Sequence, residues 1–144
     1  MSVVLRATNV AVGQSLEAID SPALLIDIDE LQANIAAMGA LCAGSPQQLR
    51  PHAKTHKSSI IADMQITAGA VGICCAKISE AEALAGANIN DVLITTPVVG
   101  APKLDRLAAL ASRVRVMTVV DNEEALSGLA EAAARAQSEG FRVV

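Results

Sequence analysis

One short stretch, residues 50–57 (RPHAKTHK, here the basic stretch), concentrates the groups that could do chemistry. Five of its eight residues can carry positive charge, and both histidines of the chain lie in it. Lys54 is a candidate nucleophile, because a deprotonated lysine amine condenses with carbonyl groups. Nearby cations and partial burial lower a lysine pKa from its usual value of about 10.4. We expect Arg50, His52, His56 and Lys57 to surround Lys54 with positive charge. We expect the apolar strand before it to bury it in part.

The same positive field would attract phosphate and carboxylate groups, so a phosphorylated aldehyde cofactor and an amino-acid substrate fit the stretch. Two other interpretations compete with a nucleophilic lysine. One is a solvated loop with ordinary surface cations. The other is a metal site, because His52 and His56 are four residues apart and would share one face of a helix. Pro51 and the lack of a nearby third ligand argue against metal, and two histidines that support Lys54 are favoured.

The composition excludes several classes of protein. The 144 residues are 52% hydrophobic with a net charge of −4 and one phenylalanine, which predicts a globular domain and no nucleic-acid partner. We recognise no signal peptide and no membrane span. Cys74 and Cys75 are adjacent, so in a strand they face opposite sides, and buried packing is expected. Cys42 is the third cysteine, so the number is odd, and no two of them form a CxxC motif. This pattern favours a protein of the reducing cytoplasm over a disulfide-bonded one.

Strand-like and helix-like segments alternate along the chain. This pattern predicts right-handed βαβ units and a parallel α/β sheet. We predict strands at 23–28, 48–53, 70–75, 91–95 and 114–120, with a sixth starting at 141. The predicted helix starts are Asp29 as a cap, Ser58 as a cap, Ser79 with Glu82 as a capping box, Pro102 in a first turn, and Asp121 or Asn122 as a cap. The last helix is expected to turn Leu126, Leu129 and Ala133 inward.

Two closures suit such a sheet: an open doubly wound sheet, or an eight-stranded barrel of about 250 residues. A chain that ends in a fresh strand favours an incomplete (β/α) barrel, with about five βα units at 21–144 after an N-terminal arm at 1–20. Either closure places ligand chemistry at the carboxyl ends of the strands. Lys54 lies at such an end, as do Asp27 and Thr95, which could line the site, although a structural capping role is an equal alternative for Asp27. Arg115 is expected to be solvated.

The segment 50–58 (RPHAKTHKS) resembles the cofactor-lysine motif of the D-threonine aldolase and D-serine dehydratase-like family. Three further segments resemble that family in type and order, and the similarity extends over about residues 20–144. These segments are SPALLID at 21–27, GICCAK with SEAE at 72–82, and DVLIT with VVG at 91–100.

The resemblance implies a pyridoxal-phosphate enzyme with the alanine-racemase N-terminal type of barrel. It makes Lys54 the covalent anchor of the cofactor in preference to Lys57, and it puts His52, His56 and Thr95 at the cofactor. This chain departs from some aldolases of this kind at Ala76, where they carry glutamine. The family also implies a homodimer and a divalent metal whose ligands are not among these 144 residues.

The implied activity is retro-aldol cleavage of a D-β-hydroxy amino acid to glycine and an aldehyde. Alternatives within the family are D-serine dehydration, 3-hydroxy-D-aspartate cleavage and racemisation. Alternatives of another class are a non-catalytic pyridoxal-phosphate-binding fragment and a basic surface module without a cofactor. We expect the 144-residue chain alone to be inactive.

Overall fold

The computed structural model describes residues 13–140. The chain divides into two units, residues 1–33 and 34–144. The predicted start of a sixth strand at 141–144 lies outside the described residues, as does much of the predicted N-terminal arm. Among residues 13–140, no helix combines the length and the apolar composition that crossing a membrane requires.

The first predicted strand is wrong. Residues 23–27 form no strand, and the Leu24 side chain is 94% exposed. An apolar run becomes a strand only where neighbouring backbone takes up its N–H and C=O groups, and no such ladder is recorded for this segment in the described residues. Instead, the chain enters helix α1, Ile28–Cys42.

The start of α1 also differs from the prediction. The Asp27 carboxylate, not Asp29, accepts the first free backbone N–H groups of the helix, from Asp29 at 3.0 Å and Glu30 at 3.1 Å. A cap must precede the helix so that its side chain can reach N–H groups two and three residues on. The helix begins earlier than the pattern indicates, so Asp29 is already helical. Asp27, expected at a strand end, therefore serves as a helix cap.

A parallel three-stranded sheet organises the second unit. Its strands are β1, Ile73–Cys75, β2, Asp91–Ile94, and β3, Arg115–Thr118, in that spatial order. Each lies inside a predicted strand and is shorter than predicted. In register, Ile73 lies beside Val92 and Asp91 beside Arg115.

The predicted second strand is present only as a single bridge, between His52 and Cys74. The segment does run along β1: the Cys74 N–H donates to the Pro51 carbonyl at 2.7 Å, and the Ala53 N–H donates to the Cys74 carbonyl at 2.8 Å. Pro51 has no N–H, which removes one rung from any longer ladder. The prediction was right about position and wrong about length.

Helices alternate with the strands along the chain: α3 links β1 to β2, α4 links β2 to β3, and α5 follows β3. Their bounds are α2 Ser59–Thr67, α3 Ile78–Gly86, α4 Ala101–Ala111 and α5 Glu123–Ser138. Three predicted starts are confirmed: Ser58 accepts from the Ile61 N–H at 3.3 Å, Asn122 accepts from the Ala125 N–H at 2.8 Å, and Pro102 lies in the first turn of α4.

The capping box predicted for α3 is wrong. The N-cap is Lys77, which makes no side-chain cap, and Ser79 is already inside the helix. Glu80 occupies the third helical position, and its carboxylate reaches back to the Ala76 N–H at 2.8 Å. Glu82, two residues further along the helix, instead pairs with Arg106 of α4. A start two residues earlier than predicted was enough to move both side chains out of capping range.

The core lies between the sheet and its helices. Ile73, Cys75, Val92 and Ile94 are its most deeply buried large side chains. On α5 the buried residues are Ala125, Ala132 and Ala136. The inward prediction is wrong for Leu126, which is 56% exposed, whereas Leu129 packs against the core as predicted. The alanine face is consistent with a close approach to α4, since a Cβ on Gly128 would lie 3.3 Å from a Leu104 methyl carbon.

A cluster of charged side chains lies at the amino end of the sheet, the end away from Lys54. The Asp91 carboxylate accepts from Arg50 and from Arg115, each at 2.7 Å. Burial alone would raise the pKa of Asp91, but the hydrogen bonds from Arg50 and Arg115 outweigh it and lower that pKa. Arg115 is exposed, yet it is paired rather than simply solvated. Gly72 makes room for this cluster, because a Cβ there would lie 2.1 Å from Nη1 of Arg50.

Candidate active site

Lys54 follows the segment that runs along β1, at the carboxyl end of the sheet. Ala53 before it is 4% exposed and is held by its N–H bond to the Cys74 carbonyl. Lys54 itself is exposed. Within residues 13–140 its ammonium has no recorded hydrogen bond or ion pair, so the amine is free to meet a ligand at this edge.

His52 connects Lys54 to the ends of two strands. Its Nδ1 accepts the Lys54 backbone N–H at 3.1 Å, and its Nε2 lies 3.0 Å from the Thr95 hydroxyl oxygen. That hydroxyl donates in turn to the Cys75 carbonyl at 3.1 Å. Burial, and then the charge of Lys54, lower the pKa of His52, while Glu80 acts in the opposite direction. His52 is therefore neutral at pH 7.

His56 has a similar local geometry and a different environment. Its Nδ1 accepts the Ser58 backbone N–H at 3.1 Å. Its Nε2 is buried next to Gln65 of α2, and neither this nitrogen nor Oε1 of Gln65 completes a hydrogen bond in the described residues. Burial lowers the pKa of His56, and the contacts with Gln65 and Ser58 only partly offset this. The ring is directed into the protein, towards α2.

Lys57, the other candidate lysine, is already paired. Its backbone has a positive φ of 49°, and its Nζ donates to the Glu80 carboxylate at 2.5 Å. The hydrogen bond from Lys57, and then that from Ala76, lower the pKa of Glu80. Glu80 is thus ionised and holds Lys57 on α3. Of the two lysines, Lys54 is the one available for covalent chemistry.

The positive field predicted around Lys54 is wrong. Arg50 is paired with Asp91 at the amino end of the sheet, Lys57 is paired with Glu80, and both histidines have lowered pKa values. The expected burial of Lys54 against a strand is absent too, since its side chain is exposed. The compensating acids lie 41 and 23 residues away in sequence, where the pattern of the basic stretch cannot reveal them.

The adjacent cysteines pack as the sequence predicts. Both are buried free thiols, and they contact different groups: Cys74 Sγ is 3.5 Å from the Arg50 carbonyl, and Cys75 Sγ is 3.6 Å from that of Lys77. Burial raises the pKa of both and brings that of Cys75 to about 11. Thiols that stay protonated are poor nucleophiles. Among residues 13–140 there is also no cluster of three or more metal-binding side chains.

Glu80 is a neighbour of the candidate lysines that the sequence did not single out. It binds Lys57 through one oxygen and the Ala76 N–H through the other. Its signal was present in the chain, because a glutamate at the third position of a helix commonly reaches back to the backbone before it. Recognising it required the true start of α3.

Comparisons with known proteins agree with this architecture. Residues 26–144 match the model of the alanine racemase N-terminal domain family. A D-threonine aldolase from Arthrobacter sp. is 41% identical over 124 residues, which are 86% of this chain and 33% of that protein. A 3-hydroxy-D-aspartate aldolase from Paracoccus denitrificans is 40% identical over 123 residues, which are 84% of this chain and 32% of that one.

Solved structures show the same relationship. The crystal structure of D-threonine aldolase from Filomicrobium marinum superposes with a TM-score of 0.83 at 42% identity, covering 89% of this chain and 34% of that one. The D-threo-3-hydroxyaspartate dehydratase from Delftia sp. gives 0.72 at 35% identity, covering 85% and 32%. The chain thus spans about a third of the length of these relatives. The predicted partial α/β barrel is confirmed, and the chain belongs to the alanine racemase N-terminal domain family.

Proposed function

We propose that Lys54 is the cofactor-anchoring lysine of a pyridoxal-phosphate-dependent lyase that acts on D-β-hydroxy amino acids. The observation that carries the proposal is the contrast between the two lysines of the basic stretch. Lys57 is bound to Glu80, whereas Lys54 has no recorded partner in the described residues and lies at the carboxyl end of the sheet. The names of the similar proteins, two aldolases and a dehydratase, support the reaction class.

The residues around Lys54 fit the aldehyde end of that cofactor. The lysine is exposed, and the side chains of its strand-end neighbours Ala53 and Ala76 are small. The cations close to it in sequence are paired, so we assign no phosphate-binding role to Arg50 or Lys57. Pyridoxal phosphate supplies an electron-accepting ring when bound.

The chain's own groups have distinct tasks in this proposal. The exposed amine of Lys54, once deprotonated, would hold the cofactor covalently at its aldehyde carbon. His52 and Thr95 lie on the same edge and shape the surface that the cofactor meets. His56 lies away from the cofactor, and it helps to attach the basic stretch to α2 through its contacts with Ser58 and Gln65.

Cleavage of the Cα–Cβ bond, giving glycine and an aldehyde, is the reaction that two of the similar proteins' names favour. Dehydration is the second candidate, since a D-threo-3-hydroxyaspartate dehydratase is 37% identical over 131 residues. Both reactions begin from the same lysine and the same amino group of the substrate.

Reductive trapping tests the assignment of the lysine. The chain is incubated with pyridoxal phosphate, reduced with borohydride and mapped by peptide mass spectrometry. We expect the pyridoxyl label on Lys54, with the total label nearly abolished in Lys54→Ala and retained in the control Lys57→Ala. Equal labelling of Lys57 and Lys54, or unchanged total labelling in Lys54→Ala, would refute the assignment.

Product analysis then separates the reaction classes. With D-threonine or 3-hydroxy-D-aspartate, an aldolase yields glycine and an aldehyde, a dehydratase yields a 2-oxo acid and ammonia, and a racemase yields epimerised substrate. Trapping without any turnover would identify this chain as a non-catalytic binding module. The absence of both would leave a basic surface without a cofactor and would overturn the proposal.

A further inference from the structure

The hydrogen bonds around His52 form a continuous chain that crosses three backbone segments. It runs from the Lys54 backbone N–H to His52 Nδ1, from His52 Nε2 to the Thr95 hydroxyl, and from that hydroxyl to the Cys75 carbonyl. The three distances are 3.1, 3.0 and 3.1 Å. Thr95 and Cys75 are also joined directly, by the Thr95 N–H to the same carbonyl at 2.9 Å. The carboxyl ends of β1 and β2 thereby connect to the lysine.

Donors and acceptors along this chain can be arranged in one way only. The Lys54 N–H is purely a donor, so Nδ1 of His52 must carry a lone pair. The Cys75 carbonyl is purely an acceptor, so the single hydroxyl proton of Thr95 points to it. The Thr95 oxygen must then accept from Nε2–H of His52. Two independent constraints, one at each ring nitrogen, thus select the same neutral tautomer.

This arrangement leaves His52 without a free ring nitrogen. Protonation at Nδ1 would place two N–H groups against each other and break the bond to Lys54. The charged groups that act on the ring are Lys54, which disfavours the cation, and Glu80, which favours it. His52 is therefore built to hold a position and not to carry protons.

We propose that Thr95 is a positioning residue that acts through His52 to fix the backbone of Lys54. Its hydroxyl orients the imidazole, and the imidazole accepts the amide of the residue that anchors the cofactor. The functional part of this inference rests on the proposed role of Lys54, whereas the hydrogen-bond chain itself does not. It gives Thr95 a role that acts through His52, in addition to its place on the edge that the cofactor would meet.

Amide hydrogen exchange on the cofactor-free chain tests the connection. In Thr95→Val we expect the Lys54 amide to exchange roughly 2- to 10-fold faster, which corresponds to the net strength of one hydrogen bond. Thr95→Ser keeps the hydroxyl and should restore the protection. The Ser58 amide is the internal control, because it donates to His56 in the same way without contact with Thr95. Unchanged Lys54 exchange in Thr95→Val, or equal acceleration at Ser58, would overturn the proposal.

Nitrogen NMR of the unaltered chain gives a second readout that does not depend on a variant's folding. At pH 7.5 the His52 ring should show a single tautomer, protonated at Nε2. A substantial population protonated at Nδ1 contradicts the assignment.

Trapping links the connection to function. Pyridoxyl labelling of Lys54 should slow in Thr95→Val and recover in Thr95→Ser, and equal rates in all three proteins would refute the positioning role. Failure to label Lys54 in the unaltered chain counts against the proposed cofactor lysine alone, because the exchange experiment needs no cofactor.

Discussion

Two turns of the basic stretch have nearly the same local geometry and different partners. In the His52 turn, residues 52–54, and in the His56 turn, residues 56–58, the backbone N–H of the third residue donates to Nδ1 of the histidine at 3.1 Å. Beyond that bond they diverge. His52 reaches Thr95 at the end of β2, whereas His56 faces Gln65 of α2.

The difference assigns separate tasks to the two turns. The His52 turn is attached to the sheet and presents an unpaired lysine at the strand ends. The His56 turn is attached to helices, since Ser58 caps α2 and Lys57 binds Glu80 of α3. Each turn has a lysine and a histidine, yet the two are not equivalent: one turn carries the unpaired lysine, and the other attaches the basic stretch to α2 and α3.

The largest expected effect comes from Gly72, which precedes β1 and lies against Arg50, two residues before the His52 turn. Gly72→Ala would place a Cβ 2.1 Å from Nη1 of Arg50 and 2.6 Å from the Asp91 carbonyl oxygen. We expect a loss of about 2–3 kcal/mol in the free energy of unfolding, because the carbonyl belongs to the backbone and cannot move aside cheaply. Urea denaturation measures it. Gly86→Ala, which meets nothing within 4 Å, is the control; equal stability of the two variants would contradict the expectation.

A smaller effect is expected at the His56 turn. Ser58→Ala removes the oxygen that accepts the Ile61 N–H at 3.3 Å, and the loss of such a cap costs about 1 kcal/mol. Ser59→Ala, at the next position and inside the helix, should be nearly neutral in the same urea experiment. The two turns would be coupled more tightly than we propose if Ser58→Ala also accelerated exchange of the Lys54 amide.

Glu80→Gln makes the two lysines more alike. It removes the ion pair of Lys57, and a pair at this degree of exposure is worth less than about 1 kcal/mol. Stability should change little, while pyridoxyl labelling of Lys57 rises relative to Lys54. Glu82→Gln, which breaks the pair with Arg106, should leave the labelling ratio unchanged. A ratio that does not respond to Glu80→Gln would show that pairing is not what distinguishes the lysines.

The smallest expected effect is the change in folding stability with pH that the two histidines cause. Both histidines have folded-state pKa values below 6.5, so the unfolded chain binds more protons once the pH falls below 6.5. Stability should therefore decrease between pH 7.5 and 5.5. The lowered pKa values of Asp91 and Glu80 act only below about their ordinary values of 3.8 and 4.5, outside this window.

Variants at the histidines separate the two turns in that experiment. His52→Gln and His56→Gln should each flatten part of the pH dependence of the urea midpoint, and the double variant most of it. Stability that rises on acidification from pH 7.5 to 5.5 would contradict the lowered pKa values.

Local patterns predicted much of the second unit. The three strands, the caps Ser58 and Asn122, and the position of Pro102 follow from apolar spacing and short-range capping. Features that depend on distant partners did not follow. The run at 23–28 has the composition of a covered strand, but no pattern inside it can supply the neighbouring backbone that makes one.

The candidate site divides in the same way. Lys54 and its place after a strand-like segment were evident from motif and order. The charge environment of Lys54 was not evident, because Asp91 and Glu80 pair with Arg50 and Lys57 from 41 and 23 residues away. The contact between His52 and Thr95 spans 43 residues and depends on the register of two strands against each other.

The Asp91 cluster has a consequence for how the sheet finds its alignment. Successive residues of a strand face opposite sides, so a slip of β2 by one residue would move Asp91 to the layer now occupied by Val92 and Ile94. There its carboxylate would lose both arginines and lie among apolar side chains, at a cost of several kcal/mol. The cluster thus destabilises a slipped register of β2 relative to the observed one, and it favours the alignment that brings the strand ends of the site together.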